Sequence, residues 1–422
     1  MDKVLIISYF FSPCNFVGGE RTDYWAKNLY KEDIYPIVLT RNWNYNQKDI
    51  VGRVSNNKYR LDKNTNREIH YLKHKFQARD LLKNINLLRK ILTLSRQILF
   101  YLAPKSIPYY NIYLKAHELL SNNRDIKNVI VSGKPFEAYF FGYQLKKEFP
   151  HISWIPDYRD QWNTYPDELS KSRITKLFSK LEKKLEKKWT SNCSYFLTTT
   201  PKWAARIEGF IMKKGVVILN GFNGNLILEN QTNTNKFLKI IYAGTLYPNQ
   251  NIEVFLKCIS EINQGLENKI EIEFIGIEVI KSQRYRVEKI SKDHVGKIII
   301  SPRVSKKELH IKMLSADLLF LTSFDNVQGW YPVKLFEYSK YPSPIILFPS
   351  DNGIMEDYIK TTGTGYVIKS PIKLKEKLIQ LIKLKNKNQE PSVKKNKEEL
   401  FKFSRSNQTM ELARVLKNKS VN

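Results

Sequence analysis

The stretch Tyr331-Pro332-Val333-Lys334-Leu335-Phe336-Glu337-Tyr338 lies between two apolar runs, at residues 316–321 and 344–348, that are typical of buried strands. Proline is tolerated in the first turn of a helix, so the stretch predicts a helix that begins near Pro332. Lys334 and Glu337 are three residues apart and share one face of this helix, close to its N-terminus. A strand followed by such a helix places a cation, a carboxylate and free backbone N–H groups together, which suits a phosphorylated, hydroxyl-rich ligand.

Lys334 and Glu337 each allow two interpretations. Lys334 is either a diphosphate clamp or a solvated lysine, and Glu337 either accepts hydrogen bonds from a ribose diol or is simply favoured by the helix dipole. Small or polar residues at the ends of two other predicted strands, Gly244-Thr245 and Gly276, favour ligand binding. We therefore expect Gly244, Thr245, Gly276, Lys334 and Glu337 to bind the ligand.

The apolar runs on either side of this stretch belong to a longer alternation of strands and helices. The predicted strands of the C-terminal half lie at 239–242, 270–275, 297–301, 316–321 and 345–348. Those of the N-terminal half lie at 4–11, 34–39, 129–131, 154–156, 195–199 and 216–219. This order predicts an α/β fold with two Rossmann-like, doubly wound domains that face a cleft.

The predicted domain boundaries follow this alternation. Residues 1–223 form an N-terminal domain, the polar and Asn-rich residues 224–236 form a linker, and residues 237–399 form the ligand-binding domain. Residues 400–422 form a C-terminal helix and tail that either packs on the adjacent core or crosses back to the first domain. Residues 42–70 are polar and are expected to be an irregular surface excursion.

The chain is strongly basic. Its 422 residues carry 70 Lys and Arg against 41 Asp and Glu, a formal net charge of +29. This charge indicates either attraction to an anionic partner, such as a phospholipid surface, or compositional drift in a chain rich in Lys, Asn and Ile. Residues 81–102 are basic and amphipathic, so they form either a membrane-facing helix or an ordinary helix packed on the sheet.

The cellular location is expected to be cytoplasmic, with attachment to the inner face of a membrane as an open alternative. The three cysteines are far apart and show no disulfide or metal spacing, which is typical of a reducing compartment. The short apolar N-terminus does not resemble a signal peptide, and no uncharged run approaches the roughly 20 residues that cross a bilayer.

A second group of candidate residues follows strands of the first domain. The glycines Gly18 and Gly19 would let backbone N–H groups approach an anion or a sugar, although turn formation alone also explains them. Asp157 and Asp160, with Arg159 between them, follow an apolar strand directly. The two carboxylates are interpreted either as catalytic groups that bind sugar hydroxyls or take an acceptor proton, or as parts of an internal ion pair or helix cap.

Metal and cofactor motifs are absent from the sequence. His70 and His74 are four residues apart but lack a third partner, and no Asp-x-Asp lies near a strand end. Walker, Gly-x-Gly-x-x-Gly, Gly-x-Ser-x-Gly and kinase motifs are also missing, which disfavours those classes. We predict no metal site and no cofactor.

Taken together, these motifs resemble a GT-B glycosyltransferase of family 4, the retaining, metal-independent kind found in bacterial surface-polysaccharide synthesis. The resemblance extends over nearly the whole chain. It is carried by an ordered set of short motifs: Tyr9-Phe10-Phe11-Ser12-Pro13 with Gly18-Gly19-Glu20-Arg21, Ser132-Gly133-Lys134-Pro135, Pro156-Asp157-Tyr158-Arg159-Asp160-Gln161-Trp162, Asn220-Gly221-Phe222, Tyr242-Ala243-Gly244-Thr245-Leu246 and Lys334-Leu335-Phe336-Glu337-Tyr338.

The resemblance implies transfer of a sugar from a nucleotide-sugar donor to a hydroxyl of a glycan or lipid-linked acceptor. It implies that Lys334 stabilises the leaving diphosphate, that Glu337 holds the ribose, and that Gly18, Gly19, Arg21 and Ser132 form a loop near the acceptor or the donor phosphate. The chain also departs from the family. Gly329 stands where many members have a first glutamate, and no basic residue follows Gly244 as far as Asn251.

Two rival functions remain open from the sequence. One is a non-catalytic basic protein that binds a membrane or nucleic acid, although no specific nucleic-acid partner is expected because many aromatic residues lie in strand-like runs. The other is a GT-B sugar-nucleotide epimerase, which would act on the donor alone and would not need the amphipathic segment.

Overall fold

A computed structural model describes residues 1–14, 17–43, 58–74, 95, 98–100, 102–164, 173–227, 237–266, 269–325 and 327–418. These residues form two compact units. Unit 1 comprises Met1–Asn220 together with Arg405–Asn422, and unit 2 comprises Gly221–Ser404. Much of the predicted linker lies outside the described residues, so the predicted domain boundaries stay predictions.

Unit 1 is built on an eight-stranded sheet. Its strands are β1 (Asp2–Ile7), β2 (Ile34–Arg41), β3 (Arg60–Lys63), β4 (Glu68–Leu72), β5 (Ile126–Ser132), β6 (Ser153–Tyr158), β7 (Phe196–Thr198) and β8 (Gly215–Val217). The strand order is β3-β4-β2-β1-β5-β6-β7-β8, and every pair is parallel except β3 with β4. Ile6 lies between Val38 and Ile130 in the register and is fully buried, as expected of a central parallel strand.

Helices connect the parallel strands of unit 1. They are α1 (Val17–Asn28), α2 (Tyr110–Asn122), α3 (Tyr139–Glu148), α4 (Arg173–Thr190) and α5 (Pro201–Ile211). Short 3-10 turns lie at Leu29–Glu32, Pro104–Ser106 and Phe136–Ala138. Thr200 caps α5 by accepting the Trp203 N–H, and Pro201 occupies the first helical position, where its missing N–H costs nothing.

The prediction that residues 42–70 form an irregular excursion is wrong where β3 and the start of β4 lie, and residues 44–57 of this range lie outside the described residues. All five residues of β4 are buried. The polar side chains of β4 led to the wrong prediction, because in the structure they pair with one another. His70 Nε2 lies 2.6 Å from Glu68 Oε1, and Lys63 of β3 pairs with the same carboxylate at 2.8 Å. A polar residue with a partner is compatible with a buried strand.

Unit 2 is built on a six-stranded, wholly parallel sheet. Its strands are β9 (Leu238–Ala243), β10 (Ile270–Ile275), β11 (Lys297–Ser301), β12 (Leu318–Leu321), β13 (Ile345–Leu347) and β14 (Gly365–Val367). The order β11-β10-β9-β12-β13-β14 is that of a doubly wound fold, numbered 3-2-1-4-5-6 within the unit. The short edge strand β14 was not predicted from the sequence.

The helices of unit 2 cover both faces of this sheet. They are α6 (Glu253–Leu266), α7 (Lys281–Ser291), α8 (Lys306–Leu314), α9 (Val333–Ser339), α10 (Ile354–Thr362), α11 (Pro371–Asn386) and α12 (Lys397–Lys402), with a 3-10 turn at Ile277–Val279. Two separate apolar clusters result. One is centred on Phe255 and Phe320, whose rings stack at 3.7 Å, and the other on Leu335, Phe336 and Tyr358.

The last helix, α13 (Arg405–Lys417), belongs to unit 1. Leu412, Ala413 and Leu416 join the same core cluster as Trp25 of α1. Arg405 Nη2 lies 2.8 Å from Glu20 Oε2 on α1, and the Gln408 side chain accepts the Leu219 N–H at 2.6 Å. The C-terminal segment therefore completes the first domain.

Each sheet has a switch point, where the connections of adjacent strands leave toward opposite faces. It lies between β1 and β5 in unit 1 and between β9 and β12 in unit 2. Ligands of open α/β sheets bind beyond the carboxyl ends of the strands at this point. The residues that follow these four strands are therefore the first to search for a site.

Replacing Leu412 by Ala should destabilise the protein by about 2–5 kcal/mol, because the side chain is fully buried on a helix that completes the unit 1 core. Chemical denaturation monitored by circular dichroism measures this change. The matched control is Arg414→Ala on the exposed face of the same helix, expected within about 0.5 kcal/mol of wild type. Equal, small effects in both variants would show that α13 contributes no packing.

Candidate functional site

The ends of β9 and β10 in unit 2 are shaped by glycines. Gly244 has a φ of 102° and Gly276 a φ of 77°, a left-handed conformation that side chains other than glycine rarely adopt. The Gly244 N–H still bonds to the Ile275 carbonyl at 2.8 Å, so the backbone leaves the sheet immediately after this residue. A turn away from the strand leaves the switch point open to a ligand.

The helix α9 follows β12 and is fixed to the end of β9 by one side chain. The Tyr338 hydroxyl accepts the Ala243 N–H at 2.7 Å and donates to the carbonyl of the same residue at 3.3 Å. Residues four apart in a helix lie on one face, so this anchor also places Lys334 at the end of β9. A Cβ atom at Gly244 would lie 3.9 Å from Lys334 Cε.

The Lys334 ammonium lies against Tyr242 without a carboxylate. It donates to the Tyr242 hydroxyl at 2.5 Å and to the Thr245 carbonyl at 3.2 Å, and it lies 3.8 Å from the centre of the tyrosine ring. In the part of the chain that the structure describes, no Asp or Glu forms an ion pair with it. Burial lowers the pKa of Lys334 to about 7. An anionic ligand would supply the negative charge that this buried ammonium lacks.

The other predicted residues of unit 2 lie along the same edge. Glu337 Oε2 accepts from Lys340 Nζ at 2.6 Å, an i,i+3 pair that leaves the carboxylate partly exposed. Gly276 approaches Arg303 at the end of β11, where a Cβ atom would lie 3.7 Å from the arginine Cα. The structure thus brings Gly244, Thr245 and Lys334 into contact. The ligand roles of Glu337 and Gly276 stay predictions.

One detail of the helix differs from the sequence prediction. Pro332 is the N-cap residue of α9, with a φ of −65° and a ψ of 137°, and does not belong to the first helical turn. The helix has only seven residues. The full charge of the Lys334 side chain therefore exceeds the partial charge that so short a helix places at its N-terminus.

In unit 1, Asp157 at the end of β6 forms an internal ion pair. It is fully buried, and its carboxylate accepts from Arg21 Nη2 at 3.1 Å and from Ser132 Oγ at 3.1 Å. Arg21 also donates to the Ile218 carbonyl and lies 4.5 Å above the Trp25 ring. Burial lowers the pKa of Arg21, which the Asp157 charge opposes. The internal ion pair, one of the two interpretations of Asp157, is present, and its catalytic role stays a prediction.

Asp160 and the two glycines lie nearby. Asp160 is partly exposed and pairs with Lys134 Nζ at 3.0 Å. Gly19 packs on the backbone of Phe10, where a Cβ atom would approach the carbonyl to 3.0 Å. Gly18 admits the side chain of Arg159. The glycine pair thus has close-packing roles that the sequence did not reveal.

Sequence reasoning missed two residues of the unit 2 site. Tyr242 supports the Lys334 ammonium, and Gln250 fixes the tyrosine by accepting from its hydroxyl at 3.1 Å. Both are fully buried. The position of Tyr242, two residues before Gly244, could have identified it from the sequence as part of the site. No pattern in the sequence distinguishes Gln250 from the other polar residues around it.

No metal-binding constellation is found among the residues that the structure describes. A search there for three or more His, Cys, Asp or Glu side chains placed to hold one ion finds none. In the same residues, no helix combines the length and apolar character needed to cross a bilayer.

Comparisons with known proteins bear on the fold of the chain and on the class of its C-terminal half. Residues 226–399 match the family model described as glycosyl transferases group 1. No match was found among the curated proteins. The whole chain is similar in fold to three solved structures, among others.

The first is Anabaena Alr3699/HepE in complex with UDP and glucose, with 11% identity, a TM-score of 0.62, and coverage of 99% of this chain and 100% of that one. The second is TarM, with 12% identity, a TM-score of 0.61 and 99% of both chains covered. The third is WaaG, a glycosyltransferase involved in lipopolysaccharide biosynthesis, with 11% identity, a TM-score of 0.57, and coverage of 98% and 100%.

The fold of the chain is therefore the α/β GT-B fold predicted from the sequence, with two parallel-sheet, Rossmann-like domains. At such low identities these likenesses define the fold. The match to the glycosyl transferase model falls on unit 2, the part that carries Lys334.

Replacing Asp157 by Asn should destabilise the protein by about 3–5 kcal/mol, because it leaves the Arg21 charge buried without its partner. Denaturant unfolding measures the change. Asp160→Asn, which removes a partly exposed charge, is the control and should cost less than about 1 kcal/mol. If Asp157→Asn were as stable as wild type, the ion pair would not stabilise the fold, and the catalytic interpretation of Asp157 would be favoured.

Proposed function

We propose that the protein is a retaining, metal-independent glycosyltransferase of family 4, which moves a sugar from a nucleotide-sugar donor to a hydroxyl of a glycan or lipid-linked acceptor. The observation that carries this proposal is the Lys334 ammonium, buried beside Gly244 at the switch point of unit 2 without a carboxylate. The family match on the same unit and neighbours that bind UDP and UDP-glucose support it.

Lys334 would act on the diphosphate of the donor. Negative charge develops on this group as the bond to the sugar breaks, and a preorganised ammonium in a dry site stabilises it strongly. Tyr242 and the Thr245 carbonyl hold the ammonium in place before the ligand arrives. Because the lysine supplies the positive charge that a divalent cation supplies in other sites, we propose that no metal ion is required.

The remaining unit 2 residues would position the donor. Glu337 would accept hydrogen bonds from the ribose hydroxyls after exchanging its bond with Lys340. The exposed backbone of Gly244 would let the diphosphate approach closely. These are binding roles, so we assign Glu337 no part in bond formation.

The acceptor hydroxyl must reach the anomeric carbon while the sugar has oxocarbenium character. We propose that the first domain binds this acceptor. Retention of configuration follows from the resemblance to family 4, as does a role in cell-surface polysaccharide synthesis. The neighbour WaaG, which is involved in lipopolysaccharide biosynthesis, supports such a role.

We further propose a peripheral position on an anionic membrane surface at its cytoplasmic side. Only five residues of the amphipathic segment 81–102 are described, and among them Leu99 and Leu102 are exposed. Leu114 of α2 and Lys105 are exposed as well. Exposed leucines together with a net charge of +29 suit attachment to an anionic lipid surface.

The first test is binding of a donor probe, defined as the nucleotide sugar that most raises the melting temperature in a screen of UDP-, GDP-, ADP- and dTDP-sugars. Lys334→Gln should weaken its binding roughly 30- to 150-fold, the loss of about 2–3 kcal/mol that a charged hydrogen bond supplies. Isothermal titration calorimetry measures the affinity.

Lys383→Gln is the matched control, since Lys383 is an exposed lysine of α11, and it should bind the probe like wild type. The folded fraction of each variant is checked by its melting curve. Binding of the probe to Lys334→Gln with unchanged affinity would refute the site, and failure of every nucleotide sugar to bind wild type would refute the proposed donor class.

Probe affinity should also fall as the pH rises above about 7. The pKa of Lys334 is lowered to about 7 by burial, and a diphosphate beside the ammonium would raise it, so binding at higher pH requires uptake of a proton. The decline should reach at most about tenfold per pH unit, the limit for one linked proton. Calorimetry between pH 6.5 and 9 measures it, with a flat profile expected for Lys334→Gln.

A nucleotide sugar suits this test because its diphosphate is esterified at both ends and keeps a constant charge over this range. An affinity in wild type that is independent of pH would show that Lys334 does not titrate with the ligand.

A further inference from the structure

The hairpin at the edge of the unit 1 sheet contains three side chains joined by hydrogen bonds, which the proposed function does not use. The Tyr59 hydroxyl lies 2.8 Å from His70 Nδ1, and His70 Nε2 lies 2.6 Å from Glu68 Oε1. Tyr59 directly precedes β3, and the other two residues belong to β4, its antiparallel partner. Both ring nitrogens of the histidine are therefore bonded.

The three side chains lead from a buried carboxylate to an exposed tyrosine. Glu68 is 8% exposed and His70 is 3% exposed, whereas Tyr59 is 44% exposed. Burial by itself would raise the pKa of Glu68, but hydrogen bonds from Lys63 and His70 outweigh it and lower the pKa. Glu68 is therefore ionised at neutral pH, and an ionised carboxylate only accepts hydrogen bonds.

The charge on Glu68 determines which nitrogen of His70 carries the proton. Because the carboxylate only accepts, Nε2 must be protonated and donate to it. Burial lowers the pKa of His70, which the hydrogen bond to Glu68 opposes, so the ring is neutral and Nδ1 keeps its lone pair. Nδ1 therefore accepts the hydroxyl proton of Tyr59. Among the described residues, no donor bonds to the phenolic oxygen.

The other charges near His70 are paired with one another. Lys63 Nζ lies 2.8 Å from Glu68 Oε2, on the side of the carboxylate away from the histidine. Lys115 and Glu118 of α2 also act on His70, and they form their own ion pair at 2.6 Å. A proton taken up by His70 would therefore be stabilised mainly by its contact with Glu68.

The backbone beside Tyr59 is held in place. Asn42, which is 5% exposed, donates from Nδ2 to the Lys58 carbonyl at 2.7 Å. The following strand β3 pairs with β4 over all four of its residues. The phenol and the imidazole therefore keep their relative orientation without the help of a ligand, which favours reaction between a nucleophile and its base.

We propose that Tyr59 is an acyl-acceptor site, at which His70 acts as the general base and Glu68 orients it. A hydroxyl within hydrogen-bond reach of a base, which is itself oriented by a third group, is the arrangement that activates a nucleophile. The electrophile is the carbonyl carbon of an activated ester or thioester.

The transfer is a substitution at this carbon. A bond forms between Tyr59 Oη and the acyl carbon, and the bond from that carbon to the leaving oxygen or sulfur breaks. The phenolic proton passes to His70 Nδ1 and from there to the leaving group, so the histidine ends the reaction neutral. No oxidant or reductant takes part.

The site favours an acyl group over a phosphoryl group. An acyl carbonyl is uncharged, whereas the oxygens of a transferring phosphoryl group are usually neutralised by cations. Among the described residues, no cationic side chain bonds to the Tyr59 hydroxyl, and Lys63 of the same hairpin is bonded to Glu68. The inference uses no residue of unit 2, so it is independent of the proposed function.

The test treats the full chain with p-nitrophenyl acetate at pH 7 and follows the acetylation of each tyrosine by proteolysis and mass spectrometry. Tyr285 of α7 is the internal reference, because it is 69% exposed and no base bonds to its hydroxyl among the described residues. Tyr59 should react at least about 100-fold faster, the lower end of what a general base supplies. His70→Gln should bring the rate at Tyr59 down to that at Tyr285.

The pH dependence separates this activation from ordinary phenol reactivity. A phenol without a base reacts as its phenolate, whose fraction rises about tenfold per pH unit below a pKa near 10. Between pH 7 and 8.5 the rate at Tyr285 should rise in this way. The rate at Tyr59 should stay nearly constant, because His70 is already neutral, and it should fall in acid as His70 becomes protonated. A purely structural hydrogen bond would not produce this profile.

Glu68→Gln keeps an acceptor beside His70 but removes the negative charge, so it should slow the acetylation of Tyr59. This variant covers the case in which His70→Gln fails to fold, and melting curves give the folded fraction of each. Equal rates at Tyr59 and Tyr285 would overturn the proposal, as would a rate at Tyr59 that neither variant changes.

Acetyl phosphate tests the class of the electrophile, since it carries both an acyl and a phosphoryl group. Acetylation of Tyr59 by this probe is expected, and the two products differ in mass. Phosphorylation of Tyr59 in place of acetylation would overturn the assignment to acyl donors.

Discussion

The contact between the Lys334 ammonium and the Tyr242 side chain is the interaction on which the unit 2 site depends. The ammonium has left bulk water, and the ring and hydroxyl that replace the water do not carry a negative charge. The cost appears as a pKa lowered to about 7. A folded protein tolerates such a cost where other parts of the structure hold the group in place, and here the Tyr338 hydroxyl fixes α9 to the end of β9. Under the proposed function, this desolvated cation binds the diphosphate of the donor.

Unit 1 also contains a buried cationic side chain. Arg159, which follows β6, is a buried cation without a close acidic partner, and its guanidinium lies against Gly18 of α1. In each unit a glycine lies beside the cation, Gly244 in one and Gly18 in the other. The more visible charged pair of unit 1, Arg21 with Asp157, is internally satisfied and stabilises the fold. The feature that the two sheet edges share is therefore a buried cationic side chain, and not a carboxylate.

Much of the fold was predictable because parallel strands are continuous apolar runs. The strands β10 and β11 were predicted with their bounds, and the glycine turn after β9 was recognised from Gly244. The strand β4 was missed because its polar residues satisfy one another through contacts that a sequence does not show, such as Glu68 with His70. Asp157 and Arg159 are two residues apart and equally polar in the sequence. Only the packed structure shows that one is paired with Arg21 and the other is not.

The most direct measurement of the central claim is the pKa of the Lys334 ammonium, obtained by NMR on selectively labelled lysine side chains and assigned with the Lys334→Gln variant. The account predicts a value near 7 in the ligand-free protein. Saturation with the donor probe should raise this value by about one to three units, as an opposite charge at close range does. A ligand-free value near the ordinary 10.5 that does not change on saturation would contradict the account.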